Sequence, residues 1–174
     1  MYVDILILSQ LMHRDKHGYE IKKNAEKILG NIYSINNNSL YPVLRQFEEM
    51  GAINKHIEPQ EGKPSRHVYS ITLLGKEILA DMLRDYPDEA AANDYEFYTR
   101  VGLFDLIDSE SRKVILERRK KALASMIAHF EDIAESNGAS FVQDHVYALQ
   151  LLKLLKRQKE MEIGWIDGLL EEDN

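Results

Sequence analysis

The sequence contains no cysteine in its 174 residues, and it has only four prolines and one tryptophan. Without cysteine the chain cannot form disulfides, thiolate zinc sites, iron–sulfur clusters or a nucleophilic thiol. It also lacks an apolar run of the roughly 20 residues that a membrane-spanning helix needs. The apolar start at residues 1–8 carries Asp4 and has no basic leader, unlike a secretory signal. We therefore expect a soluble protein of the cytoplasm that has no membrane partner.

The common catalytic motifs are missing as well. The chain has no P-loop, no Gly-x-Gly-x-x-Gly, no His-Glu-x-x-His and no Gly-x-Ser-x-Gly. His13 and His17 are four residues apart, but they flank a turn signal and no carboxylate completes a metal-binding set. The sequence thus predicts a protein that is not an enzyme and holds no metal or cofactor.

Negative charge is concentrated in one half of the chain. The net charge is −7, yet residues 1–80 hold ten Lys and Arg against nine Asp and Glu, so the acidic excess belongs to the second half. A neutral half with local basic clusters can approach a polyanion if those clusters share one face. The basic run at 118–121 lies in a predicted amphipathic helix, and we assign it to a solvated helix face.

Three short helices are predicted at the start of the chain. Residues 3–13 are apolar on nearly every side, which is typical of a buried helix. A second helix is expected from Tyr19 to Leu29, with an apolar stripe at helical spacing. A third is expected to begin with Ser39 as its N-cap, which places Pro42 at the third helical position, and to end before Gly51.

A β-hairpin pattern follows these helices. Residues 52–57 and 67–72 are strand-like, and residues 58–66 between them are rich in turn formers. Another helix is expected from Leu73 to Tyr86, before a proline. The order helix–helix–helix–hairpin in about 75 residues is that of a winged helix-turn-helix, so we expect a DNA-binding domain over residues 1–86.

The second half is predicted to be entirely helical. Segments are expected at 89–107 and from just after Asp108-Ser109 to about Asn137, and Ser140 and Gln143 form a capping box that opens a last helix. The whole chain is then mainly α with a small β-hairpin, and residues 89–174 form an all-helical dimerisation domain. Apolar residues on two faces exceed what one neighbouring helix covers, which favours a homodimer. The expected dimer contacts are Ile5, Leu8, Ile127, Phe130, Leu149, Leu152, Leu155 and Trp165.

Several segments resemble a known family. Residues 39–44 (SLYPVL), 47–51 (FEEMG) and 68–72 (VYSIT), with 18–21 (GYEI), are similar to the PadR-type transcriptional regulators. The hairpin at residues 58–72 resembles the branch typified by the virulence activator AphA. The resemblance is strong over residues 1–80 and is one of length and helical pattern beyond residue 90. It implies a dimeric regulator that binds an inverted-repeat operator through its winged helix.

The candidate DNA contacts lie on the third helix, the hairpin and the second helix. Asn and Arg side chains pair with adenine and guanine edges, whereas Tyr and Ser suit phosphates. On the third helix the candidates are Asn37, Asn38, Ser39, Tyr41 and Arg45. On the hairpin they are Lys63, Arg66 and His67. On the second helix they are Tyr19, Lys22 and Lys23, since the helix before the reader crosses the phosphates.

Other readings stay open at this stage. Tyr95, Tyr98 and Trp165 are candidates for lining an effector pocket, although aromatic clusters are more often core or interface. RNA polymerase or a second regulator would be a further partner if the protein activates transcription. A competing interpretation is a winged-helix scaffold that docks proteins and binds no DNA, which the acidic net charge favours.

Overall fold

The computed structural model describes residues 1–28, 35–60, 63–135 and 145–172, and it forms two compact units. The first unit comprises Met1–Tyr86 and Asp94–Ile107, and the second comprises Pro87–Asn93 and Asp108–Asn174. The chain therefore passes between the units three times. The proposed domain boundary near residues 86–89 stays a prediction.

The described part of the chain is mainly helical with one small sheet, which confirms the predicted fold class. Its elements up to the fourth helix are α1 Tyr2–Ser9, β1 Lys16–His17, α2 Gly18–Ile28, α3 Asn37–Glu49, β2 Ile53–Gln60, β3 Lys63–Ile71 and α4 Leu73–Arg84. They are followed by α5 Asp88–Ala91, α6 Asp94–Val101, a 3-10 turn Phe104–Leu106, α7 Ser109–Glu135 and α8 Val146–Glu172.

The sheet has three antiparallel strands in the order β1-β3-β2. The predicted hairpin is present, but its strands are longer and its tip is shorter than expected, because pairing continues to Gln60 and Lys63. Local turn propensity at 58–66 is overridden by the cross-strand hydrogen bonds. The sequence also missed β1, whose two residues pair with Val68 and Tyr69 of β3.

Helix α3 begins earlier than predicted. Its N-cap is Asn36, whose side-chain oxygen accepts from the Ser39 amide at 2.8 Å, so Ser39 is not the cap. Pro42 consequently lies at the sixth helical position, where it removes an interior backbone hydrogen bond to the Asn38 carbonyl. The helix ends as predicted, since Gly51 adopts a φ of 73° just beyond its C-cap.

Helix α1 forms the centre of the first unit. It packs against α2, α3, α4 and α6, and its apolar residues 5–8 have no exposed surface. This corrects the assignment of Ile5 and Leu8 to a dimer interface: both belong to the core of their own unit and are not available to a partner chain. An all-round apolar helix can be covered within one chain when four elements surround it.

Helix α6 completes the core of the first unit. It follows residues 87–93, which belong to the second unit. Phe97 and Arg100 are fully buried. The Arg100 guanidinium donates to the carbonyls of Leu83 and Asp85 at the end of α4, at 3.1 and 2.7 Å, and to the Glu96 carboxylate at 2.6 Å. Burial alone would raise the pKa of Glu96, but hydrogen bonds from Arg100 and from a backbone amide outweigh it, so that pKa is lowered.

The second unit is built on a helical hairpin of α7 and α8, with α5 packed on α7. Arg119 of α7 is fully buried and donates to the Glu162 carboxylate at 2.7 Å and to the Ala91 carbonyl at 2.8 Å. The assignment of the whole basic run 118–121 to a solvated face is therefore wrong for Arg119. One guanidinium joins all three helices of this unit.

The segment predicted as one helix over 89–107 is broken into α5, α6 and a 3-10 turn. The predicted capping box at Ser140 and Gln143, and the predicted end of the preceding helix near residue 137, lie outside the described residues. Among the helices of the described ranges, none is both long and apolar enough to cross a lipid bilayer.

Candidate nucleic-acid interface

The outer face of α3 forms a shallow polar groove of about 470 Å³. We call this surface the reading face, and its residues are Asn37, Asn38, Tyr41, Pro42, Arg45, Gln46 and Glu49. Leu40, Leu44 and Phe47 point the other way into the core, which holds the helix in this orientation. The face therefore brings together four of the five predicted contacts of α3.

A second groove of about 500 Å³ lies between the hairpin, α2 and α3. We call it the wing groove. Its lining residues are His17, Gly18, Tyr19, Glu20, Tyr41, Ser65, Arg66, His67 and Tyr69. Tyr41 belongs to both grooves, so the reading face and the wing groove form one continuous surface of the first unit.

Strand β1 explains why the hairpin and α2 lie side by side. Because Lys16 and His17 pair with β3, the start of α2 is fixed next to the hairpin by backbone hydrogen bonds. Gly18 then permits the Tyr41 ring to approach, since a Cβ at residue 18 would lie 3.2 Å from the Tyr41 Cε1 atom. Tyr41 itself remains 47% exposed, and Tyr19 is 72% exposed.

The wing groove is lined by one Arg and one Glu side chain, and a second carboxylate, Glu58, lies 3.5 Å from the His17 ring. The acidic residue of the groove, Glu20, forms an ion pair with Arg14, which offsets its charge. Arg66 is exposed and forms no ion pair with another residue of the described ranges. Burial raises the pKa of Tyr69 above its ordinary value, and the nearby Tyr41 and Glu48 raise it further.

Some of the predicted DNA contacts lie outside the two grooves or have a side chain that is already hydrogen-bonded. Ser39 donates its hydroxyl to the Asn36 side chain at 3.1 Å, so that hydroxyl is engaged by the helix cap. Lys23 is exposed and Lys22 is half-buried on α2, and neither lines a groove described above. Lys63 begins β3, and its side chain lies outside the described part of the chain.

The predicted dimer contacts of the second unit fall into two groups. Phe130, Leu149 and Leu152 line a small groove of about 220 Å³ between α7 and α8, so part of their surface is covered within the hairpin. Ile127 and Leu155 are likewise half-buried. Trp165, by contrast, is 46% exposed, and the other exposed apolar residues of α8 are Tyr147, Leu151, Leu154 and Met161. These four were not among the predicted dimer contacts, although together with Trp165 they recur at intervals of three, four and seven residues.

The three aromatic residues predicted to line an effector pocket belong to different units. Tyr95 and Tyr98 are in the first unit, where the Tyr95 ring stacks on Tyr2 with centroids 5.5 Å apart. Trp165 is in the second unit. The pocket they were expected to form stays a prediction.

A three-helix head, a paired hairpin beside its third helix and a continuous polar surface across both define a winged helix-turn-helix DNA-binding protein. The model of the transcriptional regulator PadR-like family matches residues 7–81, which span α1 to α4 almost entirely. Over residues 7–81 the chain is similar to the PadR-like family of transcriptional regulators. It is a DNA-binding regulator, as predicted, and its relatives are regulators rather than enzymes.

Relatives of this chain include a full-length match. The negative transcriptional regulator PadR of Bacillus subtilis is 26% identical over 171 residues, which cover 94% of this chain and 93% of that protein. A transcriptional regulator from Clostridium thermocellum is 33% identical, covering 45% of this chain and 75% of its own, with a TM-score of 0.42. The structure of Bacillus subtilis PadR in complex with operator DNA is 18% identical, covers both chains fully and has a TM-score of 0.47.

Proposed function

We propose that the chain binds an inverted-repeat operator as a homodimer, with α3 in the major groove and the hairpin along the flanking backbone. The observation that carries this proposal is the position of Tyr41, which joins the reading face to the wing groove. A helix in the major groove has phosphates on both sides, so a reading surface that continues into a groove with an exposed arginine, Arg66, matches the duplex.

Each predicted contact has a role in this arrangement. Asn37, Asn38 and Arg45 are exposed on the reading face, where amide and guanidinium groups can pair with base edges. Tyr19 and Tyr41 offer hydroxyls to phosphates, and Ser39 stabilises the helix start. Arg66 and Lys63 supply positive charge from the hairpin, where His67 offers a ring nitrogen for hydrogen bonding, and Lys22 and Lys23 supply positive charge from α2.

Replacing Arg66 by alanine should flatten the salt dependence of DNA binding, because one phosphate contact per chain is lost. The slope of log K against log salt should fall by about one unit for each bound chain, on every duplex alike.

Replacing Arg45 by alanine should instead weaken binding to the preferred sequence by about 1–3 kcal/mol and reduce the base preference at one operator position. Fluorescence anisotropy over a salt series, on duplexes first selected from a random pool by the wild-type protein, measures both.

The matched outcomes separate the proposed roles. An unchanged slope for Arg66→Ala would remove that residue from the interface. If Arg45→Ala lowered the affinity for all duplexes equally, Arg45 would contact only phosphates and would not read a base. Failure of the wild-type protein to enrich any duplex at low salt would contradict the operator proposal and favour the protein-docking scaffold.

The homodimer is best supported by the exposed stripe on α8, which we call the α8 seam. Tyr147, Leu151, Leu154, Met161 and Trp165 recur at intervals of four, three, seven and four residues, which is the heptad spacing of a helix–helix interface. These side chains are between 46% and 89% exposed. A second copy of the same seam, related by a two-fold axis, would cover them.

Replacing Leu154 by lysine should shift the protein from dimer to monomer. Each copy loses the burial of a leucine, worth about 1.5–3 kcal/mol. Since both copies change, the dimer should weaken by roughly 100-fold or more. Sedimentation at micromolar concentration measures this, and Lys153→Ala, a neighbouring change outside the seam, is the control. A wild-type protein that sediments as a monomer would contradict the dimer.

The direction of regulation and the remaining partners complete the proposal. The Bacillus subtilis relative is named as a negative regulator, and we propose repression here too. A dimer bound over a promoter excludes RNA polymerase without a dedicated contact surface, whereas activation would need polymerase or a second regulator as a partner. An effector site at Tyr95, Tyr98 and Trp165 and membership of the branch typified by AphA rest on the sequence alone.

A further inference from the structure

The second half of the reading face carries two polar residues that the sequence analysis did not include among the DNA contacts. Gln46 and Glu49 are exposed and line the same groove as Arg45. Neither side chain makes a hydrogen bond or ion pair with another residue in the described ranges. Glu49 is not expected there from sequence, because the first residues of a reading helix usually reach the bases.

The relation of Glu49 to Arg45 is informative. The two are four residues apart on α3, and opposite charges at this spacing commonly pair on a helix surface. No such pair within 4 Å is formed here, so both groups face solvent with their hydrogen-bonding capacity unused. By contrast Glu48, one residue earlier, lies off this face and is 3.5 Å from the Lys55 ammonium.

The spacing of the exposed residues fits a helix that lies along the major groove. Pro42, Arg45, Gln46 and Glu49 stand at positions i, i+3, i+4 and i+7, and all four line the reading face. This is the spacing with which the third helix of homeodomains presents its base contacts. The reading face can therefore contact base pairs beyond those reached by its first turn.

We propose that Gln46 and Glu49 determine which bases are preferred at two operator positions, Gln46 reading adenine and Glu49 reading cytosine. A glutamine amide matches the N6 donor and N7 acceptor of adenine, and a carboxylate accepts from the N4 amino group of cytosine. Glu49 also acts by exclusion, because its carboxylate repels the acceptor oxygens that guanine and thymine expose in the major groove. This inference rests on the proposed insertion of α3 into the major groove.

Selection from a random duplex pool, at one fixed salt concentration, tests the assignment. Wild-type protein, Gln46→Ala, Glu49→Gln and the control Glu48→Gln are compared, and the last two remove the same charge from neighbouring positions. Glu49→Gln should lose its cytosine preference by roughly 5- to 150-fold and shift that position toward adenine. Gln46→Ala should relax an adjacent adenine, and Glu48→Gln should keep the wild-type consensus. Equal melting temperatures verify that the variants fold.

The outcomes separate this inference from the proposed function. If the wild-type protein enriches a consensus that Gln46→Ala and Glu49→Gln leave unchanged at every position, the specificity roles are overturned while operator binding stands. If Glu48→Gln alters the consensus as much as Glu49→Gln does, charge rather than position is responsible and the assignment of Glu49 fails. If the wild-type protein enriches nothing, both the proposed function and this inference are overturned.

Discussion

Replacing Arg119 by alanine is expected to lower the free energy of unfolding of the second unit by about 3–5 kcal/mol. Its fully buried guanidinium donates to the Glu162 carboxylate and to the Ala91 carbonyl. Without it Glu162, which is only 9% exposed, keeps a charge in a poorly solvated place. Urea unfolding followed by circular dichroism, at one protein concentration because a dimer links stability to concentration, gives the difference.

Arg118 provides the matched control for this prediction. It is the preceding residue of the same basic run, is exposed, and lies 4.0 Å from Asp88. Its replacement by alanine should change stability by no more than about 0.5 kcal/mol. A double change of Arg119 and Glu162 to methionine should cost less than Arg119→Ala, since no buried charge is then left alone. Equal effects of Arg118→Ala and Arg119→Ala would refute the structural role of the ion pair.

Replacing Gly75 by alanine is the second large effect, expected at about 3 kcal/mol. Gly75 lies in the first turn of α4, where a Cβ would be 2.1 Å from the Ala52 carbonyl oxygen and 2.8 Å from the Ile71 side chain. That carbonyl accepts from the Thr72 amide and cannot move without loosening the start of α4. Thermal unfolding of the variant should show a lower midpoint. Its DNA affinity should also fall, because α4 packs in the same unit that carries the reading face.

Gly164 distinguishes close packing from the general effect of changing a glycine. It lies within α8, and a Cβ there would meet no atom within 4 Å. Gly164→Ala should therefore stabilise the protein by up to about 1 kcal/mol through the backbone entropy of the unfolded chain. If Gly75→Ala were as stable as the wild type, the tight approach of α4 to the Ala52 carbonyl would be wrong.

The winged-helix part of the first unit, residues 1–86, was largely predictable because its signals are local. Each signal depends on a few neighbouring residues. Examples are Gly51 at the end of α3, the apolar spacing of Leu40, Leu44 and Phe47, and the hairpin pattern. Each element also has one dominant period or one capping residue, which sequence reasoning detects well. The third helix, which carries the candidate base contacts, was therefore located nearly correctly.

The errors concern properties that depend on distant residues. Arg119 resembles Arg118 in sequence, and only packing against α5 and α8 decides which of the two is buried. Strand β1 is two residues long, so no periodicity indicates it, and its existence depends on pairing with β3. Ile5 and Leu8 were assigned to a dimer because the elements that cover them, including α6, follow much later in the chain.

The position of α6 in the first unit has a consequence for modular exchange. A gene fragment that ends at Tyr86 encodes the sequence matched by the family model, but it omits Phe97 and Arg100, which are fully buried in that unit. The protein made from such a fragment would have a cavity beside α1. The carbonyls at the end of α4 would also lose the hydrogen bonds that Arg100 donates to them. Chimeric regulators made from this chain should therefore be joined after Ile107, which carries residues 87–93, including α5, along without the rest of the second unit.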